Sequence, residues 1–123
     1  MSVEVYGLSR CKKTQKAVSW LKDRNIGFNF HDFGREGIDR EKLASWMARV
    51  GYAKLLNTKS PIFRKVSLGS AERVGVDAQA SAQRLMQDEP RLINRPVLEY
   101  GSALLIGFEP ESYGLLFPQL PLA

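Results

Sequence analysis

Residues 3–33 change hydrophobic period twice, and that change restricts the fold more than any other feature of the chain. Val3-Glu4-Val5-Tyr6 alternates in the two-residue rhythm of a strand and runs into Gly7, a turn residue. From Cys11 onward Ala17, Val18, Trp20 and Leu21 fall at helical spacing, with Ser9 as the expected N-cap and Asn25 and Gly27 as terminators. Phe28-Asn29-Phe30-His31-Asp32-Phe33 then returns to strand alternation and is expected to set its three phenylalanines on one face. A strand, about four turns of helix and a second strand make a βαβ unit, which joins parallel strands through a right-handed crossover. The architecture is therefore α/β.

The remaining chain is first helical and then β. Asp39 opens a helix carrying Leu43, Trp46, Met47 and Val50, which Gly51 can close, and a short helical piece through Leu55-Leu56 follows. Asn57-Thr58-Lys59-Ser60 is a polar turn, and Pro61 suits the first position of a helical turn bearing Ile62, Phe63 and Val66. Gly69 to Gly75 reads as a loop, and Asp77 to Asp88 as a helix with Ala78, Ala82, Leu85 and Met86 in a stripe that Pro90 stops. Val97–Tyr100 and Ala103–Ile106 flank Gly101-Ser102, a pair fitted to a two-residue hairpin, and a last helix starts at Glu109-Pro110-Glu111 and ends near Phe117-Pro118. The order is βαβ, a helical insertion at about 37–90, then ββα. It resembles the thioredoxin-like fold, a four-stranded mixed sheet, with residues 1–123 expected as a single domain.

Composition narrows the function classes. At 123 residues, 44% apolar and 25% charged, the chain is long enough to enclose a core, and its composition is that of neither a disordered nor a membrane protein. The N-terminus lacks a basic region followed by an apolar run, and no stretch is long enough to span a bilayer, so a cytoplasmic protein without a membrane partner is expected. The formal charge of +5 permits attraction to an anion, whether oxyanion, glutathione carboxylate, acidic protein or nucleic acid, without choosing among them, and an ordinary solvated basic surface is the competing reading. Direct nucleic-acid binding is not expected, because no basic helix with interleaved aromatics appears. No metal or bound-cofactor motif is present. His31 lies on a strand without ligand companions, and Trp20 and Trp46 read as core residues.

A single cysteine cannot form an internal disulfide, so Cys11 is either inert or reactive toward another molecule. In Gly7-Leu8-Ser9-Arg10-Cys11-Lys12-Lys13-Thr14 it falls where a strand turns into a helix, near unpaired backbone N–H groups that favour an anion. Arg10, Lys12 and Lys13 supply the electropositive surroundings that lower a cysteine pKa. A buried, unreactive core cysteine is the competing reading, and the polar, basic neighbours argue against it. Thr14 occupies the second position of a C-x-x-C pair, where its hydroxyl can donate to the thiolate or serve as an ordinary back-bonded hydroxyl. It cannot resolve a disulfide, so any turnover is monothiol. In the second constellation, Pro96 stands directly before a strand and restricts Arg95 to extended backbone.

These residues resemble the ArsC family, which comprises glutaredoxin-linked arsenate reductases, YffB-like proteins and Spx transcriptional regulators. The resemblance runs from Val3 to about Leu116. It is carried by Tyr6-Gly7-Leu8-Ser9-Arg10-Cys11 and by Leu92-Ile93-Asn94-Arg95-Pro96-Val97-Leu98-Glu99. The ending Leu105-Ile106-Gly107-Phe108-Glu109-Pro110-Glu111-Ser112-Tyr113 is similar to the YffB-like members. The resemblance implies a thioredoxin-like fold, a nucleophilic thiolate at Cys11, and a cis proline at Pro96 facing it. It also makes Arg95 the candidate binder of an oxyanion or glutathione carboxylate. Asn57 and Glu109 stand where the arsenate reductases carry arginines, and Lys59 or Arg64 are the substitutes the sequence offers.

The function expected is a monothiol, glutathione-linked, arsenate reductase-like oxidoreductase. Cys11 attacks an oxyanion or disulfide, Arg10, Lys12 and Thr14 stabilise the thiolate, and Arg95 with Pro96 forms the substrate side. Glutathione or glutaredoxin would be the co-substrate. The alternatives implied by the same resemblance are an Spx-like regulator that binds the RNA polymerase α subunit, and a family member without turnover.

Overall fold

The computed structural model describes residues 2–67 and 78–118. The expected loop Gly69 to Gly75 and the helix start at Asp77 lie outside the described residues. The chain divides into two compact units, one built from the residues up to Asp32 and from Arg95 on, the other from Phe33–Asn94. The helical unit thus begins and ends a few residues outside the 37–90 read for the insertion.

The first unit is a mixed four-stranded sheet of order β2-β1-β3-β4, formed by β1 (Val3–Gly7), β2 (Asn29–Asp32), β3 (Val97–Tyr100) and β4 (Ala103–Ile106). β1 runs parallel to β2, with Val5 opposite Phe30, and antiparallel to β3, with Tyr6 opposite Val97. This is the α/β, four-stranded mixed sheet expected from the element order. Period-two alternation sends Val3 and Val5 to one face, where they meet Ala17 and Leu21 of α1 (Lys12–Asp23), Leu98, and Tyr113 of α7 (Pro110–Leu116). Glu4 and Tyr6 point to the other face. There Tyr6 Oη donates to Glu99 Oε1 at 3.1 Å, and its ring stacks on His31 with centroids 4.5 Å apart.

α1 ends in a Schellman closure. Asn25 adopts φ 56°, its N–H reaches the Lys22 carbonyl, and the Ile26 N–H reaches back to the Leu21 carbonyl. The β3–β4 hairpin turns at Gly101, φ 59°, with Ser102 outside the left-handed region, the pattern of a type II′ turn. Phe28 and Phe30 pack beside the sheet core. Phe33 does not join them, contrary to the alternation read for this segment. It is an odd number of residues from both, so it cannot share their face, and the chain leaves the strand at Asp32 to enter α2 (Phe33–Glu36).

The helical unit holds α2, α3 (Arg40–Val50), α4 (Tyr52–Leu55), α5 (Pro61–Ser67) and α6 (Ala78–Asp88), followed by a single 3-10 turn at Pro90–Leu92. Asp39 caps α3 as expected, its Oδ2 accepting from the Lys42 N–H at 3.0 Å, and Gly51 at φ 85° ends it. Leu43, Trp46 and Met47 are its buried residues, and Phe33 meets Trp46 edge-on with centroids 6.4 Å apart. α4 stops one residue short of the expected Leu55-Leu56. Leu56 leaves it in extended conformation to form a bridge with Ile93, flanked by bonds from Asn57 N–H to the Leu92 carbonyl and from Asn94 N–H to the Leu55 carbonyl. Ser60 Oγ accepts from the Ile62 N–H and so caps α5 at its proline.

Candidate functional site

Gly7 ends β1, and three residues lead from it to Cys11. The Cys11 N–H donates to the Leu8 carbonyl at 2.9 Å, closing a turn. The expected N-cap, Ser9, stands two residues too early, because the first intrahelical bond runs from the Gln15 N–H to the Cys11 carbonyl; its own N–H donates to Asp32 Oδ2 at 3.2 Å, and its carbonyl accepts from Gln15 Nε2 at 2.9 Å. Cys11 itself is the N-cap of α1, at φ −75° and ψ 124°. Lys12, Lys13 and Thr14 are then the first three helical residues.

An N-cap side chain ordinarily accepts from the N–H two or three positions on. A neutral thiol does this poorly, and the Cys11 side chain makes no capping hydrogen bond. A thiolate supplies the charge that the position selects. Burial pushes the Cys11 thiol up and is the largest single influence on it. It is outweighed by the Thr14 backbone N–H, the Thr14 hydroxyl and the Arg95 guanidinium, which together lower the pKa to about 7.

Thr14 is 1% exposed, and its Oγ1 is buried without a hydrogen-bond partner among the described residues. The hydroxyl thus makes no hydrogen bond to the neutral thiol, and its lowering of the Cys11 pKa comes from a bond to the ionised sulfur. Its place is set by Gly7: a Cβ on that residue would lie 2.5 Å from Thr14 Oγ1 and 2.8 Å from Cγ2. Arg95 comes from the far side of the chain. Pro96 follows it through a cis peptide, is buried, and accepts the Gly107 N–H at 2.8 Å. The antiparallel pairing of Tyr6 with Val97 holds this segment beside the turn that carries Cys11.

Of the residues singled out from sequence, Cys11, Thr14, Arg95 and Pro96 thus lie in one unit, with Thr14 and Arg95 acting on the sulfur. Arg10 and Lys12 flank Cys11 in the same turn with their side chains exposed to solvent, and neither is among the groups that acidify it. Lys59 and Arg64 belong to the helical unit. Two contributors were not singled out. Gly7 was read only as a turn glycine, and Asp32, which pins the Ser9 N–H, carries no local signal beyond its place at a strand end. No group of three His, Cys, Asp or Glu able to hold a metal ion occurs among the described residues, and no helix there is long and apolar enough to cross a membrane.

Residues 6–115 match the ArsC family. The solved structure of a YffB protein is 38% identical, covers 93% of this chain and 97% of its own, and superimposes with a TM-score of 0.85. An arsenate reductase (ArsC) related protein from Brucella melitensis is 41% identical over 97% of both chains, with a TM-score of 0.72. The regulatory protein MgsR of Bacillus subtilis is 30% identical over 107 residues, which cover 85% of this chain and 82% of MgsR.

Proposed function

The chain belongs to the ArsC family, and from that premise we propose that it is a monothiol oxidoreductase with Cys11 as nucleophile. The observation that carries the reading is the place of Cys11 as N-cap of α1, with Thr14 one helical turn on and Arg95 held beside the same turn by the pairing of Tyr6 with Val97. These two groups lower the thiol to about 7, so that much of it is ionised at neutral pH. Arg10 and Lys12 add positive potential from solvent, and Arg95 with Pro96 forms the wall that receives an anionic substrate.

With a disulfide substrate, the Cys11 thiolate attacks one sulfur, a mixed disulfide forms, and the other sulfur leaves as a thiolate. With an arsenate-like oxyanion, the sulfur displaces one hydroxyl as water. Attack by a second thiol then oxidises the two sulfurs to a disulfide while the oxyanion centre gains two electrons. The sequence holds one cysteine, so the second thiol comes from outside the chain, from glutathione or glutaredoxin. A cytoplasmic location, with its thiol pool, is the compartment this chemistry requires.

Alkylation of Cys11 as a function of pH, with mass detection of a glutathione adduct, tests the reading. A midpoint near neutrality and an adduct are expected. A midpoint at or above that of free cysteine, with no adduct, overturns it. Arsenate reduction assayed with glutathione and glutaredoxin tests the oxyanion branch. Activity unchanged in Arg95→Ala refutes the part given to that arginine.

The similarity to MgsR, a regulatory protein, favours one second reading, a regulator, and the resemblance to the Spx regulators makes the RNA polymerase α subunit its partner. Its test is a pull-down of RNA polymerase under reducing and oxidising conditions, and absence of the α subunit in both rejects it.

A further inference from the structure

Residues 10–24 carry six cations, Arg10, Lys12, Lys13, Lys16, Lys22 and Arg24, against the single carboxylate of Asp23, so this stretch holds the whole formal +5 of the chain. All six are exposed. None of Arg10, Lys12, Lys13, Lys16 or Lys22 forms an ion pair among the described residues. An unneutralised basic stripe of this density concentrates anions at its surface.

The stripe borders a trough. Lys12, Lys16 and Trp20 stand at i, i+4 and i+8 on one face of α1, and with Arg24, Phe108 and Pro110 they line a groove of about 590 Å3. Beyond Arg24 it continues over Gly114 and Phe117 of the α7 region into a second hollow of about 760 Å3, where the carboxylates of Asp23 and Glu111 also face it, so the cationic part of the trough is its Lys12–Lys16 end. Its length along α1 is about 18 Å, enough for five or six extended residues. One end lies beside Cys11, whose chain neighbour Lys12 lines it. The floor is apolar, with Trp20 and Phe108 both half-buried.

We propose that this trough is the docking surface for an acidic segment of a partner protein, which seats an apolar side chain against Phe108 and Pro110, sets carboxylates against Lys12 and Lys16, and brings its own sulfur to Cys11. The charge selects an anionic partner, and the apolar floor selects a polypeptide over a nucleic acid. The indole is already engaged, since the Arg24 guanidinium sits 3.9 Å above its ring and Tyr113 and Phe117 pack against it, so it does not offer a free platform for a base. Only the delivery of sulfur rests on the oxidoreductase reading; the docking itself does not.

The probe is a short peptide rich in Asp and Glu around one leucine, its terminal cysteine activated as a 2-pyridyl disulfide. A control peptide replaces the acids with Asn and Gln. The Cys11 thiolate attacks the peptide sulfur, the Cys11–peptide disulfide forms, the peptide–pyridyl S–S bond breaks, and pyridinethiolate leaves with the electron pair. At low salt the acidic peptide should react roughly tenfold faster than the neutral one, and the ratio should fall as salt rises. In Lys16→Glu the ratio should drop to about one or below.

A ratio of about one in the unmodified protein overturns the docking surface, and it leaves the thiol reading standing if Cys11 still reacts with neutral 2,2′-dipyridyl disulfide. Salt-sensitive binding of a cysteine-free acidic peptide, followed by tryptophan fluorescence, supports docking even where that disulfide fails to react and the thiol reading falls. Equal or tighter binding of a single-stranded oligonucleotide overturns the assignment to a protein partner.

Discussion

The side chain of Thr14 fills the volume that a Cβ on Gly7 would take, with Oγ1 at 2.5 Å and Cγ2 at 2.8 Å from that point. Gly7→Ala must therefore displace Thr14 or the strand end. Overpacking of this kind costs about 1–3 kcal/mol. Because Thr14 is one of the groups that acidify Cys11, the substitution should also move the thiol titration upward. In Gly7→Ala/Thr14→Ala the fold should recover while the thiol stays less acidic than in the original protein. Chemical denaturation and pH-dependent alkylation separate the two effects, and an unchanged thiol midpoint in Gly7→Ala would show that the contact is packing alone.

Thr14→Val keeps the shape and removes a buried hydroxyl that has no partner. At pH 6, where the thiol is mostly neutral, the variant should be more stable by roughly 1–2 kcal/mol, since an unsatisfied buried polar group is unfavourable by about that much. Its Cys11 should titrate higher and alkylate more slowly at pH 7. Loss of stability at pH 6 would mean that the hydroxyl is bonded after all.

The position of Cys11 as N-cap ties ionisation to folding. Its folded pKa of about 7 lies below the ordinary cysteine value, so the thiolate's contribution to stability is complete above the unfolded pKa and is lost as the pH falls through about 7. With the sulfur partly exposed, a contribution of about 1 kcal/mol is expected, less than the full shift implies. Urea denaturation should show the midpoint rising from pH 6 to pH 9. In Cys11→Asp, whose carboxylate caps the helix at both values, the rise should disappear. Parallel profiles for the two proteins would refute the coupling.

His31 and Glu4 make the corresponding prediction on the acid side. His31 Nε2 lies 2.7 Å from Glu4 Oε1, and Asn29 Nδ2 donates to Oε2 at 2.8 Å. The bond to His31, followed by that to Asn29, lowers the Glu4 carboxyl to about 2. A depressed carboxylate stabilises the fold above its unfolded pKa of about 4.3, and that stabilisation is lost as the pH falls through about 2. His31→Ala should raise the Glu4 pKa and, because solvent screens this partly exposed pair, cost no more than about 0.5–1 kcal/mol at pH 5, read from the carbon resonance of the carboxyl and from denaturation. A Glu4 titration unmoved by the substitution would reject the pairing.

Much of the fold was legible because its signals are local. Asp39 before α3, Gly51 after it and Gly101 in the hairpin act through their own side chains or dihedrals, and all three behave as read. What escaped depends on the path the folded chain takes. Ser9 has the right chemistry for an N-cap, but the turn closed by the Cys11 N–H on the Leu8 carbonyl delays the helix, and the cap falls on Cys11. Thr14 is legible from its place three residues after Cys11, whereas Arg95 lowers the thiol only because strand pairing brings it there. The close approach of Gly7 to Thr14 has no spacing signature at all.

The pairing of Tyr6 with Val97 also has a consequence in time. The segment carrying Cys11 leaves the ribosome long before Arg95, and the guanidinium reaches the sulfur only after β3 has docked on β1. A nascent chain therefore carries a thiol lacking the arginine's share of its acidity, and so less prone to oxidation or adventitious coupling. The full thiolate fraction is reached only with the last half of the sheet, so the pH midpoint of thiol alkylation should drop when β3 docks on β1.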